Sequence, residues 1–551
     1  MSADQETIPE GSSDLLSLLR DPKSGWLAQG VLLTALSALA LLLRCQLDLD
    51  GVRDVDALNF GLAAWDFNPM EQRPHPPGYP GYVLFLKVIH LLVPSLEPAS
   101  VAKWGSRILG TLCVPAAWWS CRLLLSRAPA PSSAQVVRPL LAASLVVSQP
   151  LLWYYGADGQ SHAGEALATL VLLGWTVRAR RSHTARQAIL LAVAFGLAGS
   201  LRPTIAALNA PLLLWVFWGK PVRAWCGGAV AGGVATLSWY IPTVLYSGGL
   251  SAYQRATEAL FSTLFLQNFS AFGATTNSDF LLVNLNIAVW GLGLAALLFA
   301  GWDWKSPAHG DVPWKRAVLA VGASQTAFYF LVYTAEAGYF CGLAALSVLA
   351  PATWATHQTA PKGRAATTSA AVILGALFVL GGPAKSPIYG TTGEASVSLP
   401  TLSSMVHWNR ITQLHREALC PRPDAPHRVI VTDSGYSELQ RQLALSCNIS
   451  VVRWLAPNEL QPNADGALIY RNKDLRALPS GVPFELGPPV SFSFTEPSTK
   501  IVLSPLASPA LRQLLLTQQA CPSIPGEDDS IPAWTPICLP ELQLGSQRLV
   551  F

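Results

Sequence analysis

The feature that most constrains this chain is a series of apolar segments, each close to the length needed to cross a bilayer. They recur between residues 26 and 382 of a chain of 551 residues. A helix needs about 20 apolar residues to cross about 30 Å of hydrocarbon. The chain is 51% hydrophobic and only 13% charged, whereas globular soluble domains are about 25% charged. The pattern predicts a polytopic α-helical membrane protein, and the absence of long basic blocks argues against a nucleic-acid partner.

Eleven segments are predicted to span the membrane. They are residues 26–44, 103–125, 139–153, 163–177, 187–201, 204–218, 225–246, 282–301, 317–334, 339–356 and 366–382. Lys and Arg concentrate in alternate connections between these segments, beginning with Arg20 and Lys23 before the first one. By the positive-inside rule, these connections are cytoplasmic and the remaining ones are external.

This alternation holds only if the apolar segment from Pro80 to Val93 does not cross the membrane. Its 14 residues would form a helix of about 20 Å, which is short for a bilayer. Lys87 and His90 also lie on one face of that helix, at positions i and i+3. We therefore predict an interfacial helix, within a first external loop at residues 45–102.

The composition changes after Pro383, and residues 383–551 contain no segment long enough to span a membrane. His427 to Thr432 and Ile449 to Trp454 are predicted strands, and Tyr436 to Leu445 is a predicted helix between them. The chain is thus divided into a cytoplasmic tail (1–25), a transmembrane domain (26–382) and an external soluble α/β domain (383–551).

Carboxylates and a histidine gather in the first external loop. Asp54-Val55-Asp56 is followed nineteen residues later by His75-Pro76-Pro77-Gly78-Tyr79-Pro80. A second interfacial helix is predicted from Asp56 to Asp66, with Asp56 and Asn59 one turn apart on its polar face. Asp56 suits a helix cap, or a base that takes a proton from an acceptor hydroxyl.

His75 stands before a rigid Pro pair, and Arg73 lies two residues earlier. An Arg and a His at headgroup height suit the binding of a lipid phosphate. Lys87 is a further candidate for this task. The alternative is a structural turn packed under the C-terminal domain.

Further polar and aromatic residues fall on the predicted external side. They are Trp153, Tyr155, Asp158, His162, Glu165, Arg202, Arg255 and Glu336. The aromatic residues suit sugar stacking or an interfacial belt, and Arg202 suits phosphate binding or snorkelling. Glu165 lies at a span end, where an ionisable group usually faces a polar cavity. Glu336 suits acceptor binding or a salt bridge.

Several short motifs occur in a shared order. They are Asp54-x-Asp56 with Asn59-Phe60, Pro74-His75-Pro76-Pro77-Gly78-Tyr79-Pro80, Pro150-x-x-Trp153-Tyr154-Tyr155-Gly156, Gly199-x-x-Arg202-Pro203, Trp239-x-x-Pro242 with Ser247-Gly248-Gly249, and Glu336-x-Gly338-Tyr339. Through them the chain resembles the GT-C superfamily of polyprenol-phosphate-sugar glycosyltransferases. The resemblance is to family 39, which includes protein O-mannosyltransferases and aminoarabinose transferases, and it covers most of residues 26–382.

The resemblance implies a GT-C-like fold and an inverting transfer of sugar from a polyprenyl-phosphate donor to a glycan, lipid or protein acceptor. Asp56 would activate the acceptor. Many members have Asp-Glu where this chain has Asp56-Ala57, so Asp54 is the candidate second carboxylate. His75 stands where members often have a basic residue that holds the lipid phosphate. Asn59, Tyr79 and Tyr339 would bind substrate.

A divalent ion on Asp54-x-Asp56 is conceivable, but the resemblance implies no metal and no other cofactor. The expected location is the bacterial inner membrane, with the C-terminal domain on the periplasmic side. Two other classes remain open. One is a transporter or flippase of a lipid-linked glycan, and the other is a non-catalytic envelope assembly protein.

Overall fold

A computed structural model describes most of the chain up to residue 349 and mainly strands beyond it. The described residues are 25–46, 55–71, 73–125, 132–182, 184–260, 312–331, 337–349, residues 412, 413 and 416, and eight strands between 428 and 550. Several predicted features lie outside this part: Asp54, Glu336, the spans 282–301 and 366–382, and the helix Tyr436 to Leu445.

The described helices are numbered here in chain order. They are α1 Gly25–Gln46, α2 Val55–Ala63, α3 Pro80–Leu92, α4 Pro98–Leu125, α5 Ser132–Ser148, α6 Pro150–Tyr154, α7 His162–Ser182, α8 Ala185–Leu201, α9 Pro203–Leu208, α10 Ala210–Phe217, α11 Val222–Tyr246, α12 Leu250–Leu260, α13 Val312–Leu331 and α14 Cys341–Ser347. Short 3-10 turns occupy Pro69–Glu71 and Ala337–Phe340.

Among the described residues, three helices are both long and apolar enough to cross a membrane. They are α1, α4 and α11, and they coincide with the predicted spans 26–44, 103–125 and 225–246. Helices α7, α8 and α13 also cover predicted spans. The helical membrane class of the chain is therefore confirmed.

Two predicted spans are each divided into two helices. The segment 139–153 is split between α5 and α6 at Gln149, and the segment 204–218 is split between α9 and α10 at Asn209. Pro150 and Pro211 lie in the first turns of the second helices. A proline lacks the N–H that would continue the preceding helix, but it suits the start of a new one. The local sequence thus explains both breaks.

Both helices predicted in the first external loop form. Helix α2 covers most of the segment predicted from Asp56, and α3 ends one residue before the predicted Val93. One face of α3 buries Tyr82 and Leu86, while Leu84 and Leu91 on the other face are exposed. At 13 residues, α3 is too short to cross a bilayer. Its apolar outer face suits the predicted interfacial position.

Most of the described helices pack around one large apolar core, in which α7 is central, while α2 and α3 contribute to smaller clusters beside it. Helix α4 packs against α7, α5 and α1, while α8 packs against α7 and α11. Helix α3 contacts both α4 and α8. Gly81, at the start of α3, lies directly against Ser200 near the end of α8. This contact brings the first external loop next to the junction between α8 and α9.

The described C-terminal strands form two sheets. Strands β1 Arg428–Thr432, β2 Ile449–Leu455, β3 Gly466–Arg471, β5 Lys500–Leu503 and β6 Thr535–Pro536 form a sheet in the order β3-β2-β1-β5-β6. Strands β4 Ser491–Ser493, β7 Glu541–Leu544 and β8 Gln547–Val550 form the other. The two predicted strands are confirmed, and they pair in parallel with Arg428 opposite Ile449. Parallel neighbours require a crossover connection, as the predicted strand–helix–strand order supplies.

Candidate active site

The proline-rich part of the first external loop makes a tight turn before α3. Gly78 N–H donates to the His75 carbonyl over 2.9 Å. Gly78 and Tyr79 both have left-handed backbone, with φ of 93° and 47°. This region favours glycine, and a tyrosine there is uncommon. Pro80 then starts α3. Such outliers concentrate at functional sites, and this one buries the Tyr79 side chain.

The turn places His75 against Asp56. His75 Nε2 lies 3.2 Å from Asp56 Oδ2, and His75 Nδ1 lies 3.1 Å from the Pro76 carbonyl oxygen. Both ring nitrogens therefore face oxygen atoms, and only a doubly protonated imidazolium donates to both. We call Asp56 and His75 the loop pair. Their side chains are 35% and 17% exposed, so the pair is accessible from the surface of the protein.

Arg73 and Lys87, the other two basic residues predicted to bind phosphate here, lie in different environments. Arg73 is buried and forms a 2.7 Å ion pair with Asp66, while its backbone pairs with that of Asn68. Lys87 is exposed on α3. The roles of both residues in phosphate binding therefore stay predictions.

Arg202 stands at the break between α8 and α9. The residue before a proline is disfavoured in helical backbone, and Arg202 precedes Pro203. Its backbone is accordingly extended, with φ of −164° and ψ of 121°. The break turns its side chain inward, where it is 6% exposed. A lone Arg snorkelling to the membrane surface does not describe this arrangement.

The buried guanidinium is surrounded by residues from three other segments. Arg202 Nε lies 3.5 Å from Glu165 Oε2, and Nη1 donates to His162 Nδ1 over 2.8 Å. The guanidinium carbon lies 4.5 Å from the centre of the Tyr339 ring, which is a cation–π distance. Tyr329 O–H donates to Glu165 Oε1 over 2.8 Å. We call these five residues the arginine cluster.

The contacts in the arginine cluster also show which ring nitrogen of His162 carries a proton and which N–H groups of Arg202 are in use. An arginine only donates, so His162 Nδ1 accepts and the proton of the neutral ring is on Nε2. Nη1 of Arg202 also donates to Ser161 Oγ over 3.5 Å. Nη2 makes no hydrogen bond within the described part of the chain. Two N–H donors of Arg202 therefore remain for a ligand, and the guanidinium geometry suits a phosphate.

Tyr79 joins the loop pair to the arginine cluster. Its ring lies 5.2 Å from the His75 ring, and its phenol is within electrostatic reach of Asp56, Glu165 and Arg202. Burial raises the pKa of Tyr79 to about 12, with Asp56 and Glu165 adding to the rise and Arg202 opposing it. The phenol therefore stays protonated at neutral pH and can donate a hydrogen bond to a substrate.

The other predicted site residues differ in how close they lie to these groups. Tyr155 is buried with its ring 5.0 Å from that of His162, and Trp153 packs on the apolar core. Asp158 is buried and accepts from Gln160 N–H over 2.9 Å. Asn59 is also buried on α2, whereas Arg255 is exposed on α12.

Sequence reasoning missed two tyrosines that contact these groups. Tyr329 lies inside the predicted span 317–334, and Tyr253 O–H donates to the Pro77 carbonyl over 3.4 Å. A buried tyrosine hydroxyl usually needs a partner, so a tyrosine within an apolar span was a usable signal. The sequence does not show which residue accepts the hydrogen bond from that hydroxyl.

Comparison with known families finds one match. Residues 70–225 are similar to the N-terminal domain of the protein O-mannosyl-transferase TMEM260. This segment includes His75, Tyr79, Glu165 and Arg202. This match confirms, over residues 70–225, the predicted resemblance to protein O-mannosyltransferases. Comparison with curated proteins finds no matching sequence.

Solved structures with distant similarity are GT-C membrane proteins. ArnT from Cupriavidus metallidurans, bound to undecaprenyl phosphate, is 13% identical with a TM-score of 0.46, over 83% of this chain and 99% of that one. The Archaeoglobus fulgidus oligosaccharyltransferase is 12% identical with a TM-score of 0.39, over 76% of this chain. The chain spans only 64% of the length of that archaeal enzyme.

Proposed function

We propose that this protein is an integral membrane glycosyltransferase that moves a sugar from a polyprenyl-phosphate carrier to an acceptor hydroxyl. The observation that carries the proposal is the set of charged groups around Tyr79. Its ring lies 5.2 Å from the ring of His75, which belongs to an accessible carboxylate–histidine pair. Its phenol is within electrostatic reach of Arg202, a buried arginine with two available N–H donors. A sugar–phosphate bond between the pair and Arg202 would have a base at one end and a cation at the other.

In this mechanism Asp56 takes the proton of the acceptor hydroxyl as its oxygen bonds to the anomeric carbon. The bond from that carbon to the carrier phosphate breaks, and the electron pair leaves with polyprenyl phosphate. Arg202 and the charged form of His75 offset the developing negative charge. Attack from the face opposite the phosphate would invert the anomeric configuration, as the family resemblance implies. The proposal includes no metal.

The finer expectations from the sequence belong to this proposal. They are eleven spans, a bacterial inner-membrane location, and an external α/β domain formed by residues 383–551. They place the loop pair and Arg202 on the external face, where a carrier lipid in the bilayer and an acceptor outside it would meet. The O-mannosyltransferase similarity of residues 70–225 makes mannose the first donor sugar to test.

Replacing the proposed base tests the function directly. With purified protein and undecaprenyl-phosphate mannose, release of undecaprenyl phosphate on transfer should fall about 100-fold to 10,000-fold in Asp56→Asn. Glu97→Gln, which removes an exposed carboxylate of the same loop, should keep the normal rate. Equal rates for Asp56→Asn and the unmodified protein would rule out Asp56 as the base.

The alternative function, a transporter or flippase of the lipid-linked sugar, predicts a different result with the same protein and lipid. A flippase moves the lipid-linked sugar across vesicle membranes without transferring it, and Asp56→Asn need not slow that movement. Translocation by unmodified protein, with no sugar transfer to any acceptor preparation, would favour the flippase.

A further inference from the structure

We infer that Tyr329 is a positioning residue, which acts through Glu165 to orient Arg202 for the phosphate of the carrier lipid. The inference rests on the proposed function of the arginine cluster and adds a residue that no motif contains. Tyr329 belongs to α13, whereas Glu165 belongs to α7 and Arg202 follows α8. Three separate elements therefore meet at this point.

Glu165 is fully buried, with a side chain that is 0% exposed. A buried carboxylate is strongly unfavourable unless it is paired and hydrogen-bonded. Tyr329 supplies the hydrogen bond, to Oε1 over 2.8 Å. Oε2 has no hydrogen bond among the described residues, and Arg202 Nε faces it at 3.5 Å. The Tyr329 hydroxyl therefore fixes which carboxylate oxygen is turned toward the arginine.

The orientation of Glu165 in turn decides which edge of the guanidinium is used. With Nε directed at Glu165 and Nη1 at His162 and Ser161, the remaining edge at Nη2 is the one available to a ligand. Tyr329 also touches the residue beneath the guanidinium, because its ring centre lies 5.2 Å from that of Tyr339. One tyrosine thus contacts both the counter-ion of Arg202 and its aromatic support.

A positioning role predicts that loss of the Tyr329 hydroxyl weakens phosphate binding without removing any group that touches phosphate. In Tyr329→Phe, Glu165 would lose the one side-chain hydrogen bond that it accepts among the described residues, and its carboxylate could rotate. Arg202 would then sample orientations in which Nη2 no longer faces the ligand. A purely structural role would instead weaken binding of the lipid tail and of the phosphate alike.

The test compares binding of undecaprenyl phosphate with binding of undecaprenol, which lacks the phosphate. The dissociation constant of undecaprenol divided by that of undecaprenyl phosphate gives the contribution of the phosphate to binding. Tyr329→Phe should reduce that ratio about three- to tenfold, the net effect of one typical hydrogen bond. Tyr240→Phe is the matched control, because it removes a phenolic oxygen that makes no hydrogen bond within the described residues, and it should leave the ratio unchanged.

A double-mutant cycle with Arg202→Lys shows whether Tyr329 acts through Arg202. Lysine keeps the charge but lacks the planar fork that Glu165 orients. Arg202→Lys should itself reduce the ratio, and adding Tyr329→Phe should reduce it no further. If the two substitutions reduce the ratio additively, or if Tyr329→Phe alone leaves it unchanged, the inference is overturned. The proposed role of Arg202 in phosphate binding would not be affected by either result. An unchanged ratio in Arg202→Lys and in Arg202→Gln would overturn both.

Glu165→Gln is a second test, for use if Tyr329→Phe does not fold. If thermal unfolding in detergent shows that Tyr329→Phe is not folded, Glu165→Gln tests the second contact on which the inference depends, from Glu165 to Arg202. Its amide oxygen can still accept from Tyr329, while the charge facing Arg202 Nε is lost. The ratio should fall in this variant too, and an unchanged ratio would overturn the inference.

Discussion

The loop pair and the arginine cluster are both ionic groups, but they lie in opposite environments. In the loop pair, Asp56 is 35% exposed and makes a 3.2 Å contact with a histidine. In the arginine cluster, Glu165 is 0% and Arg202 6% exposed, and aromatic rings surround them. The proposed base is thus placed where an acceptor can arrive, and the proposed phosphate ligand is placed where its orientation is fixed.

Because of this difference in burial, substitutions in the two groups should affect the reaction and the stability of the fold to different extents. Partly exposed ion pairs contribute little to folding, typically below about 1 kcal/mol. Breaking a buried pair leaves an uncompensated charge, which costs about 3–5 kcal/mol. Changes in the loop pair should therefore alter the reaction and leave the fold intact. Changes in the arginine cluster should alter both.

The largest effect is expected for Arg202→Gln. Loss of this cation leaves Glu165 charged and buried, so the free energy of unfolding should fall by about 3–5 kcal/mol, measured by thermal or denaturant unfolding in detergent. Asp56→Asn should change it by less than about 1 kcal/mol.

Adding Glu165→Gln to Arg202→Gln should restore much of the lost stability, because the unpaired charge is then gone. If Arg202→Gln is as stable as Asp56→Asn, the two regions do not differ in the way that their burial indicates.

A smaller effect is expected for Gly338→Ala, which tests how tightly the arginine cluster is packed. A Cβ at Gly338 would lie 2.5 Å from His162 Nε2 and 2.7 Å from a Tyr155 ring carbon. Overpacking of this kind costs about 1–3 kcal/mol, and displacement of His162 should weaken undecaprenyl phosphate binding.

Gly233→Ala is the matched control, since nothing lies within 4 Å of its Cβ position. It should leave binding unchanged and should not lower stability, because alanine favours a helix more than glycine does. Unaltered stability and binding in Gly338→Ala would mean that the cluster can rearrange, contrary to a fixed orientation of Arg202.

The smallest effect is expected for His75→Gln in the loop pair. The amide of glutamine can still donate one hydrogen bond to Asp56, but it carries no charge to offset the leaving phosphate. Sugar transfer should fall roughly tenfold, as for loss of one charge-assisted hydrogen bond, while the unfolding free energy stays within about 1 kcal/mol.

His90→Gln serves as its control, because His90 stacks on Trp65 at 3.9 Å between ring centres and lies outside both groups. Equal transfer rates in both variants would remove His75 from the mechanism, and a large loss of stability in His75→Gln would show that it supports the fold.

Local sequence predicted much of the helical structure, and it failed at particular residues. Apolar segments predicted α1, α4 and α11 because a membrane helix must be apolar along its whole length. Pro150 and Pro211 mark the two breaks that were not predicted. These breaks arise from single residues within segments whose average hydropathy is that of a continuous span.

The sequence also predicts many of the residues in the candidate site. The sequence points to Glu165 because an ionisable group at the end of a span usually faces a polar cavity, and to Asp56, His75 and Arg202 through the motifs that carry the family resemblance. The pairing of Asp56 with His75 joins residues nineteen positions apart, and no local pattern specifies such a contact. Likewise, Arg73 was grouped with His75 by proximity in sequence, whereas its guanidinium pairs with Asp66.

The sequence by itself determined which segments are helical and which residue types reach the predicted external face, because hydrophobic length and proline are local properties. Only the tertiary structure decided that Tyr79 contacts His75 within electrostatic reach of Arg202, and that Tyr329 donates to Glu165. Both arrangements depend on the packing of α3 against α8 and on the position of α13. Tyr329 and Glu165 are 164 residues apart in the sequence, and a contact over such a separation depends on the packing of the whole core.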